Sequence, residues 1–323
     1  MLRRTQNRVA ESRLLLPVVV AYAIAVWLAS GLLIPAIPFT STQWLGGAWV
    51  QFVCFMVSAY LMVELNNTNA LIRIYSRTVS CSFIVMMCAG CFLFGSMGGA
   101  ILQLCVVTFY SVVFRSYQDR QSMGWTFYAF LCVGLASTVF VQVLYYIPVL
   151  WAMMFFQLTS LSWRTFLSSI LGLLTPYWFV LPLVIYQDGF EALALHFAAL
   201  ADFQFPYDYT QLTLNQLLLF GFVVAMGITG TVHYVRHQAS DSIRIRQFYG
   251  CFILLWVVTT VFVVLQPQHF DALIRIMIIN ISPLIAHFLA LTHTRVTNIA
   301  FYVICTVAVL LTVFSLWMPS YSF

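Results

Sequence analysis

The chain alternates long apolar runs with short polar segments from one end to the other. A transmembrane helix needs about 20 mostly apolar residues. Runs such as 248–265 lack the alternation of apolar and polar residues that marks barrel strands, so they predict helices. The pattern predicts an all-α polytopic membrane protein with about eleven transmembrane helices, within a range of 10–12, near residues 14–36, 45–63, 79–95, 99–114, 125–146, 149–161, 165–186, 212–234, 248–265, 272–291 and 299–318.

Two of these boundaries leave alternatives open. Segment 149–161 is short and follows Pro148, so it is either a half-span or a tilted continuation of the fifth helix. Residues 95–99 hold three glycines, which predict a tight turn between two short helices because glycine tolerates unusual dihedrals.

The longest segment with polar character is 187–211. Asp188 and Glu191 have the spacing of a capping box, and large apolar residues follow at helical intervals. This pattern predicts an amphipathic helix near 189–201 that lies in the membrane interface.

The composition excludes a soluble protein. Hydrophobic residues make up 63% of the 323 residues and charged residues 7%, whereas a soluble globule carries about 25% charged residues. We expect residues 1–323 to form a single integral membrane domain with no linker and no nucleic-acid partner.

The 14 basic residues are all arginine, and their positions predict the orientation of the chain. With eleven spans, 13 of the 14 fall on the side of the N-terminus, which the positive-inside rule places in the cytoplasm. The C-terminus is then periplasmic, in a bacterial inner membrane. Only Arg275 falls on the external side.

The external segment also holds the weak candidates for a catalytic role, since carboxylates and imidazoles serve as general acids and bases. The alternative is structural, because external loops carry acids freely. The candidates are Asp188, Glu191, His196, Asp202 and Asp208.

Arg275 and Asp271 are four residues apart near the external end of the tenth predicted span, so their side chains can meet on one helix face. Arg275 is either an ion-pair partner of Asp271 or a ligand for a lipid phosphate, which its planar guanidinium group suits.

Other polar residues lie within the predicted spans. Pro283 shares a helix face with Asn280 and His287, and His287 predicts an interhelical hydrogen bond more readily than a proton relay. Asn215 and His233 indicate packing more than a pathway. The sequence holds no nucleotide-binding, hydrolase or metalloprotease motif, so we expect no cofactor and no metal. These intramembrane polar residues are Asn215, His233, Asn280 and His287.

Residues 126–183 resemble the middle of the GT-C glycosyltransferase superfamily, through a Gly-Leu-Ala helix, a short helix that ends near an arginine, and a helix with Leu-Leu-Gly before a proline. Residues 66–83 are similar to the cytoplasmic turn and third helix of such proteins. The whole chain resembles a multi-spanning membrane family of Bacteroidota. The GT-C resemblance implies an architecture without an activity, because the first external loop, 38–43, lacks the carboxylate that those enzymes use.

These observations favour a protein that handles lipid-linked or envelope intermediates at the external face, on a GT-C-like scaffold, and whether it is an enzyme stays open. Two alternatives remain: a non-catalytic subunit or assembly factor of an envelope complex, and a lipid or small-solute transporter. Membrane lipids are the expected partners, together with other envelope membrane proteins.

Overall fold

The computed structural model describes residues 5–33, 42–186, 189–201, 209 and 212–317, and nearly all of them are helical. The α-helices are, in chain order, α1 (Thr5–Ala10), α2 (Leu15–Leu33), α3 (Thr42–Asn69), α4 (Thr78–Ala89), α5 (Met97–Val113), α6 (Met123–Val139), α7 (Ile147–Phe156), α8 (Trp163–Tyr186), α9 (Phe190–Ala198), α10 (Leu214–His237), α11 (Ile243–Leu265), α12 (Phe270–Leu291) and α13 (Arg295–Trp317).

Among these described residues, eight helices are long and apolar enough to cross a membrane, which confirms an all-α, multi-pass membrane protein. The predicted count of about eleven full spans is not confirmed. Three predicted spans, 79–95, 125–146 and 149–161, correspond to shorter apolar helices.

The predicted span 125–146 is divided. Helix α6 ends at Val139, Phe140 adopts an extended conformation, and a 3₁₀ helix continues over Val141–Tyr146. Pro148 then lies in the first turn of α7, where a backbone N–H group has no partner within the helix and its absence costs no hydrogen bond. Segment 149–161 is therefore a separate short helix, not a continuation of the fifth.

The helix packing separates two compact units, 1–100 with 208–323 (unit 1) and 101–207 (unit 2). Unit 1 is built around α12, of which nearly every side chain is buried. Helices α1, α4, α10 and α11 pack on α12, and α2, α3 and α13 pack on α4. The outermost helices, α2 and α13, leave most of their apolar surface exposed, as lipid-facing helices do.

Glycines allow the closest helix contacts in each unit. In unit 1, a Cβ atom on Gly230 of α10 would lie 2.7 Å from the backbone carbon of Leu284 in α12. In unit 2, Gly134 of α6 and Gly172 of α8 face the backbone of the opposite helix in the same way. Gly227 of α10 also lies in close contact with α12, whereas Gly221 has no neighbour within 4 Å.

Helix α4 crosses most of unit 1 although it is only 12 residues long. Its 12 residues rise about 18 Å, and the 3₁₀ helix Cys91–Gly95 adds about 10 Å. The start of α4 lies beside α1, where Ser76 Oγ donates to the Ala10 carbonyl. The 3₁₀ helix contacts the first half of α12, where Arg275 donates to the Leu93 carbonyl.

Polar caps and turns define the helix ends that matter for the sites below. Thr213 and Gln216 form a reciprocal capping box at the start of α10, and Ser242 caps α11. The glycine-containing turn at 95–99 is present, but no described glycine has a positive φ. Gly99 is instead needed for space, because the Arg275 guanidinium group lies directly against it.

Candidate functional site

Four polar segments of unit 1 meet at one end of the helices. Gln6 of α1 donates to the Leu289 carbonyl and to Thr292 Oγ1. Arg73, in the α3–α4 turn, donates to Ser240 in the α10–α11 turn, and Arg244 donates to Asn69. We call this the arginine-rich end, because its segments carry every arginine described in unit 1 except Arg275: Arg8, Arg13, Arg73, Arg77, Arg236, Arg244, Arg246 and Arg295.

A buried polar cluster lies just inside this end. The side chains of Asp241 and His287 have no exposed surface, and His287 Nε2 lies 3.3 Å from Asp241 Oδ2. Arg73 Nε lies 2.8 Å from Asp241 Oδ1 with 40% of its side chain exposed, which is an ion-pair distance without a well-aligned hydrogen bond. We call Asp241, His287, Arg73 and the two histidines described next the Asp241 cluster.

Two histidines of α10 extend the cluster towards the surface. The His233 ring lies 5.4 Å from the His287 ring and 4.3 Å from the His237 ring, measured between centroids. His237 is exposed and its Nδ1 contacts the His233 carbonyl oxygen at 2.9 Å. Exposure therefore falls stepwise from His237 through His233 to His287.

Aromatic side chains enclose the cluster. Tyr234 and Tyr249 stack at 4.4 Å, and each ring lies 5.3 Å from the His287 ring. Tyr249 is fully buried and its hydroxyl donates to the Leu71 and Pro283 carbonyls. The walls therefore exclude water from Asp241 and His287, which strengthens electrostatic interactions between them.

Three atoms of the cluster and its aromatic walls have no hydrogen-bond partner among the described residues: His287 Nδ1, His233 Nε2 and the Tyr234 hydroxyl. Buried polar atoms without partners are rare and call for an explanation. Among the described residues, no three His, Cys, Asp or Glu side chains are placed to hold a metal ion.

The structure brings together only two of the four predicted intramembrane polar residues. His233 and His287 share the Asp241 cluster, Asn215 lies about 27 Å along α10 from His233, and Asn280 is buried within α12. Asp241 was not predicted from the sequence, because it lies in a short turn whose polar residues are typical of a cytoplasmic loop. Its burial depends on contacts with α12 that the local sequence does not show.

Arg275 and Asp271 lie towards the opposite end of unit 1. Arg275 is 2% exposed and its guanidinium group donates to the Leu93 carbonyl. Gln216 Nε2 donates to Asp271 Oδ1 over 3.1 Å. The phosphate-binding role of Arg275 stays a prediction, and a phosphate would have to enter a tightly packed site to reach it.

The external acidic segment is described only in part. Asp188, Asp202 and Asp208 lie outside the described residues. Glu191 is exposed in the first turn of α9, after the N-cap Gly189, and His196 Nε2 lies 3.0 Å from the Ser137 carbonyl oxygen. The catalytic role of this segment stays a prediction.

An apolar groove of about 210 Å³ lies in unit 1 among α1, α2, α4, α10, α12 and α13. Its lining is almost entirely apolar, with Gln6 and Thr78 near the arginine-rich end and Met86 and Met226 deeper in the bundle. Three exposed arginines are near lining residues in the sequence. Arg8 directly precedes Val9, Arg13 is two residues before Leu15, and Arg295 is six residues before Phe301.

Comparison with protein-family models, with curated proteins and with solved structures finds no match to this chain. The function is therefore inferred from the fold, the groove and the Asp241 cluster.

Proposed function

We propose that this chain is a multi-pass protein of a bacterial inner membrane that binds the hydrocarbon tail of an anionic lipid, or of a lipid-linked intermediate, in the groove of unit 1. The observation that supports it is the groove itself. Helical interiors are normally packed to the density of organic crystals, and an apolar opening of about 210 Å³ leaves room for part of a hydrocarbon chain.

The chemistry of the groove favours a hydrocarbon ligand. Apolar cavities of about 150 Å³ stay dry and bind apolar molecules. A methylene group that moves from water into an apolar site gains about 0.8 kcal/mol. A lipid tail already lies in hydrocarbon and does not gain this energy, so the fit of the tail and contacts with the head group must determine which lipid binds.

Charge supplies that selectivity. Arg8, Arg13 and Arg295 are exposed and belong to segments whose neighbouring residues, Val9, Leu15 and Phe301, line the groove. Their positive charge favours an anionic head group at the level where the polar part of a lipid would lie. The lipid head group would thus bind at the arginine-rich end and not at the external face, where the acidic segment was predicted.

The contacts among the segments of the arginine-rich end also support an orientation of the chain in the membrane. The N-terminal segment and the turns near 73, 241 and 292 hydrogen-bond to one another, so they lie on one side of the membrane. By the positive-inside rule we propose that this side is cytoplasmic. The lipid would then come from the cytoplasmic leaflet. With α4, α6 and α7 as short crossings, eleven spans would place the C-terminus in the periplasm.

The chain offers its own probe for the groove, because Cys305 of α13 is exposed and lines it. In protein with Cys54, Cys105 and Cys132 replaced by Ala, phosphatidylglycerol should slow maleimide labelling of Cys305 several-fold more than phosphatidylcholine does. The rate is measured by mass spectrometry in detergent with added lipid.

The matched control is Cys305→Ser with Val303→Cys, since Val303 is exposed on the same helix but does not line the groove. Its labelling should be indifferent to the lipid head group. Equal protection at the two positions, or none at 305, would refute the lipid site.

A further inference from the structure

The Asp241 cluster has no part in lipid binding, yet it contains an aspartate and a histidine whose side chains are fully buried. Its histidines form a path of decreasing exposure that ends at a carboxylate. A merely structural pair would need neither the second nor the third imidazole.

The hydrogen-bond pattern identifies the atom that can accept a proton. When the Asp241 carboxylate is ionised, His287 Nε2–H donates to Oδ2, and this tautomer leaves a lone pair on Nδ1. His287 Nδ1 has no hydrogen-bond partner among the described residues, and neither has His233 Nε2. Each ring therefore presents a basic nitrogen that the local structure does not otherwise use.

Other charged and titratable groups face the pair from every neighbouring element. Arg73 of the α3–α4 turn approaches Asp241 Oδ1, Tyr234 and His237 belong to α10, and Arg246 and Tyr249 belong to α11. The carboxylate thus stands between Arg73 on one oxygen and His287 on the other. Uptake of one proton by His287 would place two positive groups around one negative group.

We propose that Asp241 and His287 form a buried proton-binding site, and that His237 and His233 line its access from the arginine-rich end. The proton comes from a hydronium ion that enters past His237 and His233 when their side chains move, and its O–H bond breaks to leave water. The proton arrives at His287 Nδ1 and leaves an imidazolium paired with the Asp241 carboxylate. No other bond is broken, and the charge of the buried cluster rises by one.

Helix α12 connects this site with the groove. Ile285 and Leu289 line the groove, and His287 lies about 200° around the helix from each of them. The proton site and the groove therefore occupy nearly opposite faces of one helix. This arrangement would let protonation bias the position of α12, but the proton site itself does not depend on lipid binding.

The proton site is tested in the full-length protein by hydrogen exchange at the imidazole C2 carbon, followed by mass spectrometry over the pH range in which the protein stays folded. Exchange at His287 should follow a titration curve, and Asp241→Asn should shift that curve. The control Asp119→Asn, an exposed carboxylate of unit 2, should leave it unchanged. A His287 ring that never titrates in the wild-type protein would overturn the proposal.

The path is tested separately by a pH jump with infrared detection of the imidazole rings. His233→Phe should slow protonation of His287 several-fold and leave the final extent unchanged, whereas His293→Phe, at an exposed histidine, should alter neither. An unchanged rate in His233→Phe would overturn the role of His233 in lining the path.

Discussion

At the residue scale, Asp241 is the least expected feature of the molecule. A carboxylate in a turn of a membrane protein is ordinarily solvated, but this side chain is fully buried between Arg73 and His287. A buried charge is tolerated when ionic and hydrogen-bonding partners compensate for lost hydration. Arg73 and His287 are those partners, and Arg73 also donates to Ser240 of the same turn.

Replacement of Arg73 by glutamine should therefore destabilise the protein markedly. It leaves the Asp241 carboxylate buried beside one imidazole only, and removal of one partner from a buried pair costs about 3–5 kcal/mol. Because Arg73 is 40% exposed, we expect the lower part of that range. The free energy of unfolding is measured by titration with denaturing detergent.

Arg236→Gln is the matched control, since Arg236 is exposed in the last turn of α10 close to the same end. It should change the free energy of unfolding by less than about 1 kcal/mol, as surface charges do. Comparable losses in the two variants would show that net charge matters and the contact with Asp241 does not.

The residues of the cluster differ in how far the sequence could reveal them. His233 and His287 stand out because imidazoles are rare in apolar runs, and the structure places them together. Asp241 and Arg73 could not be found this way. Arg73 and Asp241 are 168 residues apart in the sequence, and no local pattern records such a contact.

At the element scale, α12 is the helix on which unit 1 depends. Helix α10 approaches it through Gly227, which faces the Ile281 side chain, and through Gly230, where the two backbones come too close for a side chain. Close approach of this kind maximises van der Waals contact, which drives helix association where no hydrophobic effect operates between helices. The approach also sets the distance between His233 and His287.

The glycines of α10 provide a direct test of this packing. Gly230→Ala should destabilise unit 1 by about 1–3 kcal/mol, because the added methyl group meets the backbone of Leu284 and Ile285. Gly221→Ala meets no neighbour within 4 Å and should be neutral or stabilising by up to about 1 kcal/mol through helix propensity. Both values come from the same detergent titration.

A loss of stability in Gly221→Ala equal to that in Gly230→Ala would contradict the account of α10 and α12. It would mean that glycine matters along the whole of α10 and not at the contact alone.

The apolar pattern predicted the long helices in their order, but it did not predict α1, and α3 extends to Asn69, six residues beyond the predicted end. It predicted continuous helices over 79–95 and 125–146, where the structure joins short helices to 3₁₀ helices. Hydropathy measures how apolar a run is, and it does not show where the backbone leaves α-helical geometry. That depends on Pro148 and on packing inside each unit.

At the scale of the whole molecule, composition determines the class of protein and burial determines where function can lie. The 7% of charged residues cannot cover a soluble surface of this size, so the exposed apolar helices face lipid. Within unit 1 the groove and the Asp241 cluster lie towards the same end, on nearly opposite faces of α12. Lipid binding in the groove is the central claim.

Native mass spectrometry of the protein purified from its membrane tests that claim most directly. We predict that the wild-type protein retains an anionic lipid and that Val85→Trp, which fills the groove, loses it, whereas Val257→Trp, on the exposed face of α11, keeps it. Equal lipid retention in all three proteins, or none in the wild type, would contradict the account.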